Sequence, residues 1–95
     1  MTKFTLFDAA EYLKSPEEMA AYLDVCLEDD PGDGSLIRAA LNDIARAQGM
    51  SQVARDAGIG RESLYKALGE QGNPEFVTIM KVIHALGFKL HASAA

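Results

Sequence analysis

The chain has 95 residues, of which 48% are hydrophobic and 24% charged, and its formal net charge at pH 7 is -5. This length and composition suit one compact globular domain. We expect no membrane span and no signal peptide, because the apolar runs are too short and acids interrupt the N-terminal one. Cys26 is the single cysteine and cannot form an internal disulfide, which favours a cytoplasmic setting.

Acidic residues are concentrated in the first third of the chain. Residues 1–35 contain two lysines and nine acids, a net charge of -7, whereas residues 36–95 contain seven bases and five acids, a net charge of +2. One interpretation is an acidic N-terminal segment (1–34) and a mildly basic remainder (35–95) that meet different partners. The other is that the acids only keep a small protein in solution.

The first long helix is predicted over "SPEEMAAYLDVCLED". Ser15 can cap it, Pro16 fits its first position, and Glu18 completes a Ser-x-x-Glu pattern. A shorter helical piece is expected over residues 8–13, and Pro31-Gly32 ends the segment. On one face of the long helix, four side chains recur at helical spacing: Met19, Tyr22, Leu23 and Cys26.

Three helices are predicted in the middle of the chain. "SLIRAALNDIARAQG" repeats apolar residues at helical spacing and ends at Gly49. "MSQVARDAG" predicts a short third helix with Ser51 as its cap. A fourth helix is expected over residues 61–68, with Gly60 as a weak cap and Gly69 at its end.

A fifth helix is predicted over "NPEFVTIMKVIHALG", with Asn73 as its cap, Pro74 at its first position and Gly87 as its stop. Its main stripe contains Phe76, Ile79, Met80 and Ile83. Val77, Val82 and Leu86 make the apolar face wider than a one-sided surface helix needs, which suggests a second subunit. "GFKLHA" alternates like a short strand that must pair, and its own copy in a dimer is the expected partner. The predicted dimer interface is Val82, Leu86, Phe88 and Leu90.

The stretch "SQVARDAGIGRESLYKAL" fits a helix-turn-helix. This motif needs a small residue in its first helix and a turn residue that tolerates positive φ. Ala54 and Gly58 meet these needs, and Ile59 can plug the core beneath the turn. The apolar anchors on the two helices are Val53, Ala57, Leu64, Ala67 and Leu68. A plain helical hairpin remains the alternative.

In a helix-turn-helix, the second helix reads base edges near its N-terminal end. Arg61 suits guanine, Glu62 suits cytosine, Tyr65 suits a thymine methyl or a phosphate, and Lys66 suits phosphate. Helix starts can add backbone contacts. The predicted DNA-binding set is Ser51, Gln52, Arg61, Glu62, Ser63, Tyr65, Lys66 and Asn73. The unit is only weakly basic, so we expect a dimer rather than a monomer to bind double-stranded DNA.

Two pieces, "ARAQGMSQVARDAGIGRESLYKAL" and "GNPEFVTIMKVIHALG", carry a family resemblance that extends over about residues 10–90. The chain resembles antidote (antitoxin) proteins of addiction modules with a RelE/ParE-like toxin, which have a lambda-repressor-like (XRE/HigA-like) helix-turn-helix. The resemblance implies an all-α fold of about five helices, here with a short C-terminal strand. Such families usually have Ser where Gly60 stands, and a hydroxyl there would cap better and reach phosphate.

The resemblance also implies two activities. The protein would neutralise a cognate basic toxin and would repress its own operon by binding operator DNA as a dimer. An acidic N-terminal segment complements a basic toxin. The candidate toxin-binding face is Tyr12, Leu13, Met19, Tyr22 and Leu23, and the alternative is that this face packs on the core of its own domain.

Other functions have less support in the sequence. We expect no enzyme activity, cofactor, metal or membrane partner, because no phosphate loop, zinc spacing or nucleophile motif occurs. His84 and His91 are separated by Gly87 and do not form a metal pair. The alternative functions are a stand-alone phage-type transcriptional regulator without a toxin partner, and a protein-interaction adaptor with a degenerate helix-turn-helix.

Overall fold

A computed structural model describes residues 8–94, and this part of the chain is all-helical, as predicted. A 3-10 helix (Ala9–Tyr12) precedes five α-helices, whose bounds are α1 Pro16–Asp29, α2 Ser35–Gln48, α3 Met50–Ala57, α4 Arg61–Leu68 and α5 Phe76–Ala85. Residues 1–7 of the predicted N-terminal segment lie outside the described residues. Residues 88–94 have no regular secondary structure, so the pairing of a C-terminal strand with a second copy stays a prediction.

The start of α1 confirms the predicted cap. The Ser15 hydroxyl accepts the Glu18 N–H at 3.1 Å, and Pro16 occupies the first helical position. The Glu18 carboxylate turns back to the N–H of Lys14 at 2.7 Å, one residue earlier than a standard capping box requires. The segment before α1 is therefore held to the first turn of the helix.

Asp30 organises the connection between α1 and α2. Its carboxylate accepts N–H groups from Gly32, Gly34, Leu36 and Ile37 at 2.8 to 3.2 Å. Desolvation raises the pKa of Asp30, but these four donors outweigh it and leave the pKa below its usual value. Asp30 follows α1 in sequence, where the helix dipole disfavours it, yet it caps the N-terminus of α2, where a negative charge is favoured.

One hydrophobic core joins the two halves of the chain. Leu13 and three α1 residues (Met19, Leu23 and Cys26) are buried in the same cluster as the α2 residues Ala40, Leu41, Ile44 and Ala45. Burial raises the pKa of the Cys26 thiol. The buried side chains of both predicted segments, 1–34 and 35–95, share this core. The assignment of a separate function to each segment stays a prediction.

A single residue, Gly49, separates α2 from α3. It has φ 110° and ψ 110°, a conformation that favours glycine, and its N–H donates to the Ala45 carbonyl at 2.8 Å. The predicted stop of α2 is confirmed. The predicted cap of α3 is wrong, because α3 begins at Met50 and Ser51 already lies inside its first turn.

The start of α5 also differs from the prediction. The helix begins at Phe76, with Glu75 as its extended N-cap, so Asn73 and Pro74 lie outside it. The preceding loop must first cross the end of α4, where Gly72 passes so close that an added Cβ would lie 2.1 Å from the Ala67 carbonyl oxygen. This tertiary constraint delays the helix by two residues.

The end of α5 is as predicted, because Gly87 terminates it in the left-handed region at φ 90°. The Phe88 N–H donates to the Ile83 carbonyl at 3.1 Å, and the Gly87 N–H donates to the His84 carbonyl at 3.0 Å. This pair of bonds is a Schellman motif. It directs residues 88–91 back toward α1.

The wide apolar face of α5 is used mainly inside the chain. Val82, Ile83 and Leu86 are buried, and α5 packs against α3. Two of the four predicted dimer residues, Val82 and Leu86, are therefore core residues of the single chain, and the dimer interface as a whole stays a prediction. Phe76 and Val77 instead remain 77% and 54% exposed.

No helix within residues 8–94 is long and apolar enough to cross a membrane.

Candidate nucleic-acid interface

Two short helices, α3 and α4, are joined by the turn Gly58–Ile59–Gly60. Gly58 has φ 70° in the left-handed region, as its predicted role in the turn requires. Its N–H donates to the Arg55 carbonyl at 3.2 Å, and the Ile59 N–H donates to the Ala54 carbonyl at 2.9 Å. This Schellman motif ends α3 and places Ile59 against the core.

The inner faces of α3 and α4 hold the unit on the rest of the domain. Val53 and Ala54 of α3 and Leu64 and Leu68 of α4 are buried, and α3 contacts α2, α4 and α5. Ala57, Ile59 and Ala67 are partly buried. The predicted anchors thus face inward, which leaves the opposite face of α4 for solvent or a partner.

Gly60 is the N-cap of α4, and its extended backbone (φ -62°, ψ 144°) is open to any residue. A Cβ there would meet only the Ser63 hydroxyl, at 3.7 Å. The cap has no side-chain hydrogen bond. The N–H groups of the first turn of α4 are therefore available to an anion that approaches this corner.

All eight predicted DNA-binding side chains are exposed, and their role in DNA binding stays a prediction. Two of them form a pair on α4: the Arg61 guanidinium lies over the Tyr65 ring, 5.2 Å from its centroid, and donates to the Tyr65 hydroxyl at 3.4 Å. The i, i+4 spacing brings the two side chains together. This contact holds a cation and an aromatic ring side by side at the N-terminal half of α4.

A second group lies beside the end of α4. Ser63, Lys66 and Asn73 line one shallow groove together with Gly72 and Pro74. Asn73 does not cap α5, so its side chain belongs to this groove rather than to a helix start. Glu62 is exposed in the first turn of the same helix.

The two predicted residues of α3 have different surroundings. Ser51 is exposed in the first turn of α3. Gln52 donates to Asp56 at 2.8 Å and accepts from Arg55 at 2.8 Å. These bonds link a base and an acid along the outer face of α3, and they use one of the two N–H donors of the Gln52 amide, which leaves the other for a partner.

Two polar residues of α2, missed in the sequence, contact the end of α4. Arg38 and Asn42 each donate a hydrogen bond of 2.9 Å to the carbonyl of Leu68, the last residue of α4. Their four-residue spacing beside the apolar stripe of α2 indicates that the two side chains lie on one face of the helix. This spacing does not predict that both bind the Leu68 carbonyl.

The predicted toxin-binding face is mostly buried within the chain. Leu13, Met19 and Leu23 are core residues, as the alternative of packing on the domain core requires, and their role in toxin binding stays a prediction. Tyr22 is half-buried, and its hydroxyl donates to Asp43 at 2.6 Å. Burial, followed by this bond, raises the pKa of Tyr22. Tyr12 is 61% exposed.

Residues 8–94 contain no group of three or more His, Cys, Asp or Glu side chains that could hold a metal ion. His84 and His91 are exposed on different segments, and Cys26 is buried. The described residues form a small all-helical domain in which two short helices, α3 and α4, flank a glycine turn.

This chain belongs to a family described as probable addiction module antidote proteins, whose model matches residues 3–94. It is similar to an uncharacterized protein of Haemophilus influenzae, with 57% identity over 83 residues that cover 87% of this chain and 84% of that protein. No solved structure matches the chain.

Proposed function

We propose that this protein is an antitoxin that neutralises a cognate basic RelE/ParE-like toxin and represses its own operon by binding operator DNA as a dimer. Membership of the antidote family supports the toxin partner. The observation that carries the DNA half of the proposal is the outer face of α4, where Arg61 and Tyr65 are paired and exposed next to an uncapped helix start.

The chemistry of this face suits a major groove. A guanidinium can donate to both acceptors of a guanine edge, and the adjacent ring can contact a thymine methyl. Lys66 and Ser63, farther along α4, suit the phosphate backbone, as does Asn73 in the same groove. Nine of the 14 acids lie within residues 1–34, so most of the negative charge is carried outside the α3–α4 unit.

The DNA proposal is tested by measuring affinity for the region upstream of the operon by fluorescence anisotropy over a range of salt concentrations. We expect Arg61→Ala to cost about 1–3 kcal/mol per base contact and to relax sequence preference. Lys14→Ala is the matched control, because it removes the same charge from an exposed side chain before α1. Equal losses in both variants, or no loss with Arg61→Ala and Tyr65→Ala, would contradict the proposed recognition helix.

The outer face of α1 is the better toxin-binding candidate, because Leu13, Met19 and Leu23 are in the core. Residues 16–29 contain no base. Asp24, Val25 and Glu28 share the exposed side of the helix, and Val25 is 56% exposed. An apolar centre with an acidic rim complements a basic partner and accelerates its capture.

The toxin proposal is tested with the product of the adjacent gene, by growth rescue and by surface plasmon resonance. The double change Asp24→Lys and Glu28→Lys should slow association most strongly at low salt. The double change Glu70→Lys and Glu75→Lys is the matched control, since both acids are exposed and lie in the loop before α5. If wild-type protein neither binds nor rescues, the antitoxin function fails and a stand-alone regulator is favoured. If it binds but the α1 variants behave as wild type, the toxin docks elsewhere.

We also propose a dimer that uses the apolar residues left exposed near α5. Phe76, Val77 and Leu90, the last 41% exposed, are the candidates, and Phe88 of the original set is partly buried. Strand pairing of residues 88–91 between two copies would give partners to backbone groups other than the Phe88 N–H, which already donates to Ile83. Sedimentation equilibrium of Phe76→Ser should show a shift toward monomer, and Val25→Ser on α1 should not. An unchanged mass for Phe76→Ser would exclude this interface.

A further inference from the structure

The C-terminal end of α4 is held by two hydrogen bonds from α2. Arg38 Nη1 and Asn42 Nδ2 both lie 2.9 Å from the Leu68 carbonyl oxygen. The last carbonyls of a helix have no partner within the helix and carry a partial negative charge. A cation and an amide donor on one such oxygen satisfy this end of the helix.

A row of polar side chains on α2 continues from this anchor toward the N-terminus of the chain. Asn42 Oδ1 accepts from Arg46 Nε at 3.0 Å, so both ends of the Asn42 amide are used. Arg46 then donates to both oxygens of Asp8 at 2.7 and 2.9 Å, and to Asp43 at 2.7 Å. Hydrogen bonds thus run without a break from Leu68 to Asp8.

The hydrogen bonds from Arg38 and Asn42 restrict the orientation of α4, which its buried apolar side chains do not. Leu64 and Leu68 hold α4 on the core by burial, which is roughly proportional to area and has no preferred direction. Burial therefore restricts the distance of α4 from the core more strongly than it restricts translation of α4 along the core or rotation about its own axis. Two hydrogen bonds that converge on one terminal carbonyl have narrow distances and angles, and so restrict those remaining movements.

We propose that Arg38 and Asn42 are positioning residues for α4, and that Arg46 ties this anchor to Asp8 of the N-terminal segment. The inference rests on the proposed reading of DNA by α4. The consequence is that Arg61 and Tyr65 are presented at a fixed angle, although Arg38 and Asn42 touch no base. A base contact is lost by a small misplacement, whereas attraction to phosphate is less sensitive to it.

The test compares affinity for the operator with affinity for an unrelated duplex of equal length. Asn42→Ala leaves the charge unchanged, and we expect it to lower operator affinity by about fivefold or more, the worth of one net hydrogen bond, with little change for the unrelated duplex. Arg38→Met should act in the same direction, and Arg38→Lys, which keeps the charge and a donor, should recover most of the loss.

Ser15→Ala is the control for general destabilisation, because it breaks the cap of α1 and leaves α4 untouched. If Ser15→Ala lowers the affinity ratio as much as Asn42→Ala does, or if Asn42→Ala and Arg38→Met leave the ratio unchanged, the positioning role is overturned.

A second readout keeps this inference separate from the proposed function. Amide hydrogen exchange in the free protein should be faster at the end of α4 in Asn42→Ala and unchanged there in Ser15→Ala. If wild-type protein does not distinguish the operator, the DNA function fails, and this exchange experiment decides alone whether the anchor holds α4. Unchanged exchange in Asn42→Ala would then reject the anchor.

The link to Asp8 is tested by a double-mutant cycle. If the row acts as one unit, Asp8→Asn lowers the affinity ratio in the wild-type background and has little further effect in the Asn42→Ala background. If the losses in affinity ratio of Asp8→Asn and Asn42→Ala are additive, the proposed link through Arg46 to Asp8 is wrong.

Discussion

Gly72 is the glycine at which an added methyl group would meet the closest backbone contacts. A Cβ at this residue would lie 2.1 Å from the Ala67 carbonyl oxygen and 2.6 Å from that of Lys66. The Cβ–oxygen contact to Ala67 must open by about 0.9 Å, from 2.1 Å to the 3.0 Å below which real Cβ contacts essentially never fall. Both neighbours are backbone atoms of α4, so no flexible side chain can yield.

The expected cost of Gly72→Ala combines two losses. Moving the loop weakens the bond from the Gly72 N–H to the Gly69 carbonyl, now 2.8 Å, and the rest is overpacking. Together they should destabilise the fold by roughly 3 kcal/mol. For a domain of this size, that corresponds to a fall in Tm of roughly 12–24 °C. The displaced loop should also move Asn73 out of the groove that it shares with Ser63 and Lys66.

Thermal unfolding followed by circular dichroism measures this cost, with Gly58→Ala as the comparison. A Cβ at Gly58 would meet nothing within 4 Å, so the cost there comes from the left-handed backbone alone. It should be about 1–2 kcal/mol. If Gly72→Ala is no less stable than Gly58→Ala, the close approach to α4 is not a real constraint.

Three further predictions concern helix ends. Gly60→Ser should stabilise the chain by about 0.5–1 kcal/mol, because its backbone is already extended and a hydroxyl can cap α4; a lower Tm would show that the corner is crowded. Ser15→Ala should destabilise by about 1 kcal/mol in urea unfolding, and an unchanged midpoint would show that its 3.1 Å bond contributes nothing. The lowered pKa of Asp30 means that its contribution is present above the unfolded pKa of about 4 and is lost as the pH falls through the lower folded pKa. Tm measured from pH 6 to 2 should therefore fall more steeply for wild type than for Asp30→Ala, and parallel curves would contradict the assignment.

Helix ends were predictable where the signal is local. Ser15, Gly49, Gly58 and Gly87 act through bonds to residues within five positions, so a short window of sequence contains both partners. The cap of α2 was missed because its acceptor, Asp30, lies before the turn and looks like an unfavourable end of α1. The late start of α5 was missed because it depends on where the loop crosses α4.

In the candidate site, too, features set by local periodicity could be predicted, and features set by tertiary packing could not. The periodicity that buries Leu64 and Leu68 also requires Arg61 and Tyr65 to face outward, so the outer face of α4 could be predicted. Met19 and Leu23 were placed correctly on one face of α1, but an apolar face does not say whether it meets its own core or another protein. The extra width of α5 raised the same ambiguity, and packing against α3 resolved it for Val82 and Leu86.

The single-residue junction at Gly49 has a consequence for how this chain can change in length. One inserted residue there would rotate α3 by about 100° relative to α2 and carry Val53 and Ala54 away from the core. The loops at residues 30–34 and 69–75 have more residues over which to absorb an insertion. Insertions and deletions should therefore be tolerated least at the corner between α2 and α3, so the orientation of α3 on α2 should change by substitution rather than by a change in chain length.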